Sequence, residues 1–325
     1  MARRCFFPVL GTRATAMNLA TIDIGTNTTL LLVARTEPAV APIEERAEIT
    51  RLGRGIGLSG ALGAEGIART LDVLRSYTAA ARAHGAAIHA IGTEALRRAR
   101  NARAFLDPAA EILGTPVEVI DGAREAALSF RAAAASFPAE AARGPMLVVD
   151  VGGGSTEIIV SDRGVVQFHT SLPIGSVRLT ERHLHADPPA VAEVAALEDE
   201  VVYTLADVPF PGAGATLVGV AGTVTSLGAM VQRLGSYDPT RVHGFVLARS
   251  ALEVEIALLS TSTQAEREHM AGLDPRRADV ILAGALILLG VARAAGASQI
   301  LVSDRGIRWG LLYEKLEKRS GAAST

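Results

Sequence analysis

The sequence predicts an α/β protein built twice over, with two domains facing each other across a ligand cleft. Two glycine loops of one kind carry that expectation. The first is Asp23-Ile24-Gly25-Thr26-Asn27-Thr28, and the second is Asp150-Val151-Gly152-Gly153-Gly154-Ser155-Thr156-Glu157. Each follows an apolar, β-prone run (residues 19–22 and 146–149) and leads into another (29–33 and 158–160). That is strand, tight turn, strand, used twice. A chain of 325 residues is long enough for two buried cores. The expected division is an extension over 1–16, a first domain over 17–141 and a second over 142–325.

After the first hairpin, residues 43–52 read as a third strand. Helix follows over 64–84, where Ile67, Leu71, Leu74 and Ala81 recur at helical spacing. Residues 87–91 form a short buried strand. Thr93 opens a turn and a short helix over 94–100, and a further helix covers 102–113 despite Pro108. A strand over 117–120 and a helix over 122–136 close the first half. Residues 137–145, rich in Ala, Pro and Gly, read as a linker or hinge. The second half repeats the plan with strands over 147–151, 157–161 and 165–171. Helices are expected over 176–185 and 190–205. A strand over 216–220 runs straight into Ala221-Gly222-Thr223 and a helix. Later helices cover 249–260, 275–295 and 306–318, with a strand over 299–302 between the last two.

Composition narrows the function. Aromatics are only 4%, so the core must come from Ala, Leu, Val and Ile. A formal net charge of −2 argues against a nucleic-acid binder working through bulk positive charge. Cys5 is the only cysteine, which leaves neither a disulfide framework nor a thiolate metal site. No stretch has the length of a transmembrane helix; residues 280–291, the longest apolar region, are interrupted by glycines and read as a buried helix. Residues 1–16 are too short and broken for a signal peptide. Met17 reads as the start, or 1–16 as a disordered extension, and the expected setting is the cytoplasm.

The loops predict phosphate chemistry. Glycine permits close backbone approach and positive φ, and successive N–H groups in such a turn make an anion-binding concavity. Gly25, Thr26, Asn27 and Thr28 would serve one phosphate, and Gly152, Gly153, Gly154, Ser155 and Thr156 another. Gly222 and Thr223 begin a helix, whose N-terminus favours an anion. A leading Asp cannot sit beside bare phosphate without a cation or a bound water. Asp150 and Glu157, on the two strands of one hairpin, are therefore assigned to magnesium, which needs few carboxylates and keeps its waters. Asp23 is the third metal candidate. Taken alone, each residue also fits a turn cap or a surface acid. Arg97 is the expected guanidinium clamp, since Arg pairs with phosphate oxygens bidentately. Arg98, Arg100 and Arg103 read as a solvated face, while Arg51 and Arg54 extend the basic track. The seven histidines make no metal signature. His183 and His185 read as surface, and His243 as part of a structural loop.

Several stretches together resemble one family. They are the two loops, Gly92-Thr93-Glu94-Ala95-Leu96-Arg97, Val119-Ile120-Asp121-Gly122-Ala123-Arg124-Glu125-Ala126, Val220-Ala221-Gly222-Thr223 and Val302-Ser303-Asp304-Arg305-Gly306. In this order they resemble the exopolyphosphatase/guanosine pentaphosphate phosphatase family, within the actin and sugar-kinase superfamily. The resemblance implies an actin-like two-domain fold and magnesium-dependent removal of a terminal phosphate from a polyanion. It makes Glu125 the residue that orients or deprotonates water. It also implies the short form of the family, acting on short to medium chains. Arg124 and Asp121 depart from the family pattern, which has Glu and Ser there. The partner is then inorganic polyphosphate, or guanosine pentaphosphate as the sibling reading; nucleic acid and membrane are not expected, and a homodimer stays open. A sugar- or acetate-type kinase would use the same loops but need an acceptor site. A non-enzymatic actin-like protein would keep the loops without needing Glu125 or Arg97.

Overall fold

The computed structural model describes residues 18–212 and 214–322, so the extension expected over 1–16 lies outside the described residues. The first sheet comprises β1 (Leu19–Ile24), β2 (Thr28–Arg35), β3 (Ala41–Ile49), β4 (Ala87–Gly92) and β5 (Val117–Val119), in the order β3-β2-β1-β4-β5. The second comprises β6 (Pro145–Val151), β7 (Thr156–Asp162), β8 (Val165–Leu172), β9 (Thr216–Val220), β10 (Val246–Ala248) and β11 (Gln299–Val302), in the order β10-β11-β9-β6-β7-β8. In both, an antiparallel three-stranded meander joins parallel strands: β1 pairs antiparallel with β2 and parallel with β4, and β6 does the same with β7 and β9. This is the duplicated two-domain α/β fold that the twin loops predict, and its strand order is the one expected of the actin-like fold that the family resemblance implies.

The leading strand of each half is buried from end to end, apart from Pro145. Unbroken aliphatic runs such as Leu147-Val148-Val149 suit a strand covered on both faces by helices. Because both strands are central, the turn at the end of each is carried on the most rigid part of its domain.

Register explains which side chains reach the cleft. Asp150 pairs directly with Glu157 across the β6–β7 hairpin, so the two carboxylates share a face. In the first hairpin Asp23 pairs with Leu30 instead.

The Gly122–Ser136 helix has the bounds the sequence predicts. Asp121 caps it, accepting a hydrogen bond from the Arg124 N–H at 2.8 Å. Arg124 faces away from the cleft and pairs with Glu118 and Glu314. The C-terminal helix Ile307–Ala322 packs on this helix and on the first sheet, through a cluster of Leu19, Leu32, Ala132, Trp309 and Leu312. The two helices meet closely at Gly310, where a Cβ would stand 2.0 Å from the Leu128 carbonyl oxygen.

Three expectations are corrected. Residues 137–145 are not an open hinge: Pro138–Arg143 is helical, and Phe137 and Ala141 are buried among Met146, Val148 and Val220. The helix expected over 275–295 is split into a 3₁₀ turn, Pro275–Arg277, and a helix Ile281–Ala294. Asp274 caps only the short turn. The third strand ends at Ile49, since the Thr50 and Arg51 N–H groups both turn to the Asn27 carbonyl. Elsewhere helix and strand ends agree within a few residues, and the fully buried Ile281–Leu289 stretch confirms the buried apolar helix. No helix among the described residues is long and apolar enough to cross a membrane.

Candidate active site

The two turns are copies. Gly25 N donates to Thr28 O at 3.0 Å, and Gly152 N to Ser155 O at 3.0 Å. At each glycine a Cβ would come within 2.9 Å of the same carbonyl oxygen, so tight closure of the turn excludes a side chain. Neither turn uses the positive φ expected of it; its glycines are absent from the left-handed positions. The turns also touch each other. A Cβ on Gly153 would meet Thr26, Asn27 and Val177 at 3.2–3.3 Å, and one on Gly154 would overlap the Glu94 carboxylate. Glycine thus lets the two halves close together.

Both turns line one cavity of about 670 Å³. Asp23, Gly25, Thr26, Asn27, Thr28, Glu125, Asp150, Gly152, Gly153, Gly154, Ser155, Glu157, Gly222 and Thr223 all reach it. Two predicted residues do not. Thr156 is fully buried and its hydroxyl donates to the Ile174 carbonyl at 2.8 Å, so it is no phosphate ligand. Arg97 is not a free clamp: its Nη1 donates to Glu125 Oε2 at 2.6 Å and to the Ile120 carbonyl at 2.7 Å. The Ser155 hydroxyl is likewise committed, to Glu157 Oε1 at 2.8 Å.

One wall is acidic. Asp23, Glu125, Asp150 and Glu157 are each more than nine-tenths buried. Burial pushes the Asp23 carboxyl up to about 7, with the nearby Asp150 adding to the effect. Burial likewise raises Glu125 to about 7 against the pull of Arg97, and Asp150 to about 6 against its hydrogen bond from Ser129. Glu157 is raised well above the carboxylate range by burial, then by Glu125 and Asp150. Asp23 Oδ1 is buried with no hydrogen-bond partner. Arg308, buried in the lining of the same cavity, pulls the Asp23 carboxyl down and Arg97 does so for Glu125, but the four acids outnumber them and the Asp23 oxygen is left without a partner. Among the described residues no three acids or histidines stand in metal-enclosing geometry. The set therefore fits a cation that takes one or two carboxylates and keeps its waters, as magnesium does.

A second part of the lining, beginning next to Asp150 where β6 pairs with β9, favours anions. The Ala221–Val231 helix begins at the cavity without a side-chain cap, so its first N–H groups and its dipole favour an anion. The Arg277 guanidinium lies against it, where a Cβ on Gly222 would stand 2.3–2.6 Å away. Arg277 Nη2 donates to Thr28 Oγ1 at 3.2 Å, which ties this wall to the first turn. Arg277 is the guanidinium that the sequence reading missed. Its only signal is the Asp274-Pro275 turn before it, which was read as the start of a long helix.

Several other basic residues near the cleft are engaged elsewhere. Arg98 and Arg178 both pair with the buried Glu94, bridging the two halves, and Glu181 accepts from Gly55 N–H at 2.8 Å. Arg98 is exposed, as expected of a solvated face, while its guanidinium reaches the buried Glu94. Arg51 is held by Asp279 at 3.1 Å and by the Arg276 carbonyl at 2.9 Å, so it does not extend a basic track. His183 pairs with Glu200 at 2.6 Å. His243 stacks on Phe137 with ring centres 5.2 Å apart, the structural role expected of it.

The chain is similar to known proteins in sequence and in overall structure. The model of the Ppx/GppA phosphatase family matches residues 32–319. Exopolyphosphatase 2 of Mycobacterium tuberculosis is 37% identical over 313 residues, which span 90% of this chain and 97% of that protein. Among solved structures, the Aquifex aeolicus member of the Ppx/GppA family has a TM-score of 0.79 at 34% identity, covering 93% of this chain and 98% of its own. An exopolyphosphatase from Cytophaga hutchinsonii has a TM-score of 0.84 at 27% identity, with the same coverage. Matched over most of its length by this family and its members, the chain belongs to the Ppx/GppA phosphatase family of phosphoanhydride hydrolases.

Proposed function

We propose that this phosphatase is an exopolyphosphatase, removing the terminal phosphate of inorganic polyphosphate in a magnesium-dependent reaction. The observation that carries the reading is the placement of Glu125 in one cavity with both glycine turns and Arg277. A chain of phosphates needs many donors and a cation, and the cleft offers both walls.

In this reading the N–H groups of the two turns and of the Ala221–Val231 helix hold phosphate oxygens, and Arg277 neutralises charge beside them. Glu125 accepts a proton from the attacking water. The water oxygen bonds to the terminal phosphorus, the bridging P–O bond opens, and the shortened chain leaves with the electron pair. Arg97 keeps the Glu125 carboxylate in place and favours its charged form. Asp150, with Asp23 or Glu157 beside it, would hold magnesium through one or two carboxylates and its waters, and the ion when bound would supply further neutralisation of the phosphate oxygens. The test is release of phosphate from polyphosphate by the parent and by Glu125→Gln, which should bind the chain and not cleave it.

A second reading is cleavage of guanosine pentaphosphate. The half-exposed Tyr237 favours it, because its ring gives the same cavity an aromatic wall on which a base can stack.

A further inference from the structure

We propose that Ser129 is a positioning residue, fixing Asp150 in the orientation that receives the cation. The proposal rests on the magnesium reading above. Ser129 lies one turn after Glu125 on the Gly122–Ser136 helix and is fully buried. A serine inside a helix commonly returns its hydroxyl to the carbonyl four residues back. Ser136 does so here, to Ala132 at 2.8 Å, and Ser260 does so to Ile256 at 2.8 Å. Ser129 departs from that habit. Its Oγ donates to Asp150 Oδ2 at 2.5 Å, the short distance of a charge-assisted bond.

Two consequences follow from this contact. The Asp150 carboxylate is fixed by one oxygen, and among the described residues no side chain bonds its other oxygen, Oδ1. Asp150 lines the cleft, so the unpaired oxygen is the one left for a cation. The same helix also carries Glu125, so a single rigid element sets both the base and the metal carboxylate. Hydrogen-bond partners of this kind are worth about 10- to 100-fold in metal affinity elsewhere.

The experiment is manganese binding to the substrate-free, metal-free protein, followed by electron paramagnetic resonance. It compares the parent with Ser129→Ala, Ser129→Thr and Asp150→Asn, and thermal unfolding confirms that each is folded. Ser129→Ala should weaken binding about tenfold, Ser129→Thr should restore most of it, and Asp150→Asn should lose more than either. Parent-like binding by Ser129→Ala would overturn the role of Ser129 while leaving the metal reading intact. Equal losses in the Ala and Thr variants would also overturn it, since packing rather than the hydroxyl would then matter. No binding by the parent would overturn the metal reading itself, and the proposal with it. If Ser129→Ala fails to fold, Ser129→Cys, with a weak donor of similar size, is measured instead, and parent-like affinity there would overturn the proposal.

Discussion

Arg97 holds Glu125 through a 2.6 Å contact from Nη1 to Oε2, and the same nitrogen is anchored on the Ile120 carbonyl at 2.7 Å. A base buried in an acidic wall is thus kept in one orientation by a single guanidinium. Burial holds the Glu125 carboxyl up to about 7 and Arg97 pulls it down. The base form therefore dominates above that pH and is lost below it. We expect kcat/KM to fall about tenfold per pH unit below about 7. In Arg97→Gln the limb should move to higher pH, because the downward pull is gone. A limb unmoved in that variant would separate Arg97 from Glu125.

Glu125→Gln should lower turnover by about 100- to 10,000-fold, the range for losing a general base. Polyphosphate binding should persist, because the turns and Arg277 are untouched. A near-normal rate would remove Glu125 from the mechanism.

Asp150→Asn should raise the magnesium concentration for half-maximal rate by about tenfold or more. A magnesium titration matching the parent would contradict the assignment of Asp150 to the metal.

Gly222→Ala would drive a Cβ into the Arg277 guanidinium. Arg277 must then leave the helix terminus. A charge-assisted hydrogen bond contributes about 1.5–3 kcal/mol, so KM for polyphosphate should rise about tenfold or more. Arg277→Ala should do the same, and the double variant should be little worse than either single one. Additive losses would show that the two residues act apart.

Gly310→Ala tests the packing behind the site. The new methyl meets the Leu128 backbone, which cannot yield as a side chain tip would. A loss of about 1–3 kcal/mol or more is expected, measured from the urea midpoint. Unchanged stability would mean that the Ile307–Ala322 and Gly122–Ser136 helices are free to slide.

Much of this architecture was legible because local signals agreed with the fold. Asp121 caps the Gly122–Ser136 helix in the way a short polar residue before a helical pattern does, and the two turns repeat in sequence because they repeat in space. What escaped depends on contacts between distant residues. β10 is a three-residue strand that exists only through pairing with β11. Arg277 looks like its neighbour Arg276 in sequence, yet one lies partly buried against Gly222 and the other pairs with Glu48 on the surface. Arg97 was expected at phosphate because its charge was visible and its buried partner was not. Thr156 belongs to the loop by position, but the strand pleat turns its side chain to Ile174.

The central claim is tested most directly by phosphate release from polyphosphates of defined length, beside guanosine pentaphosphate and ATP, with and without magnesium. An exopolyphosphatase should release phosphate from polyphosphate only with magnesium, and faster than from either nucleotide. Release from guanosine pentaphosphate alone, or from none of the three, would contradict it.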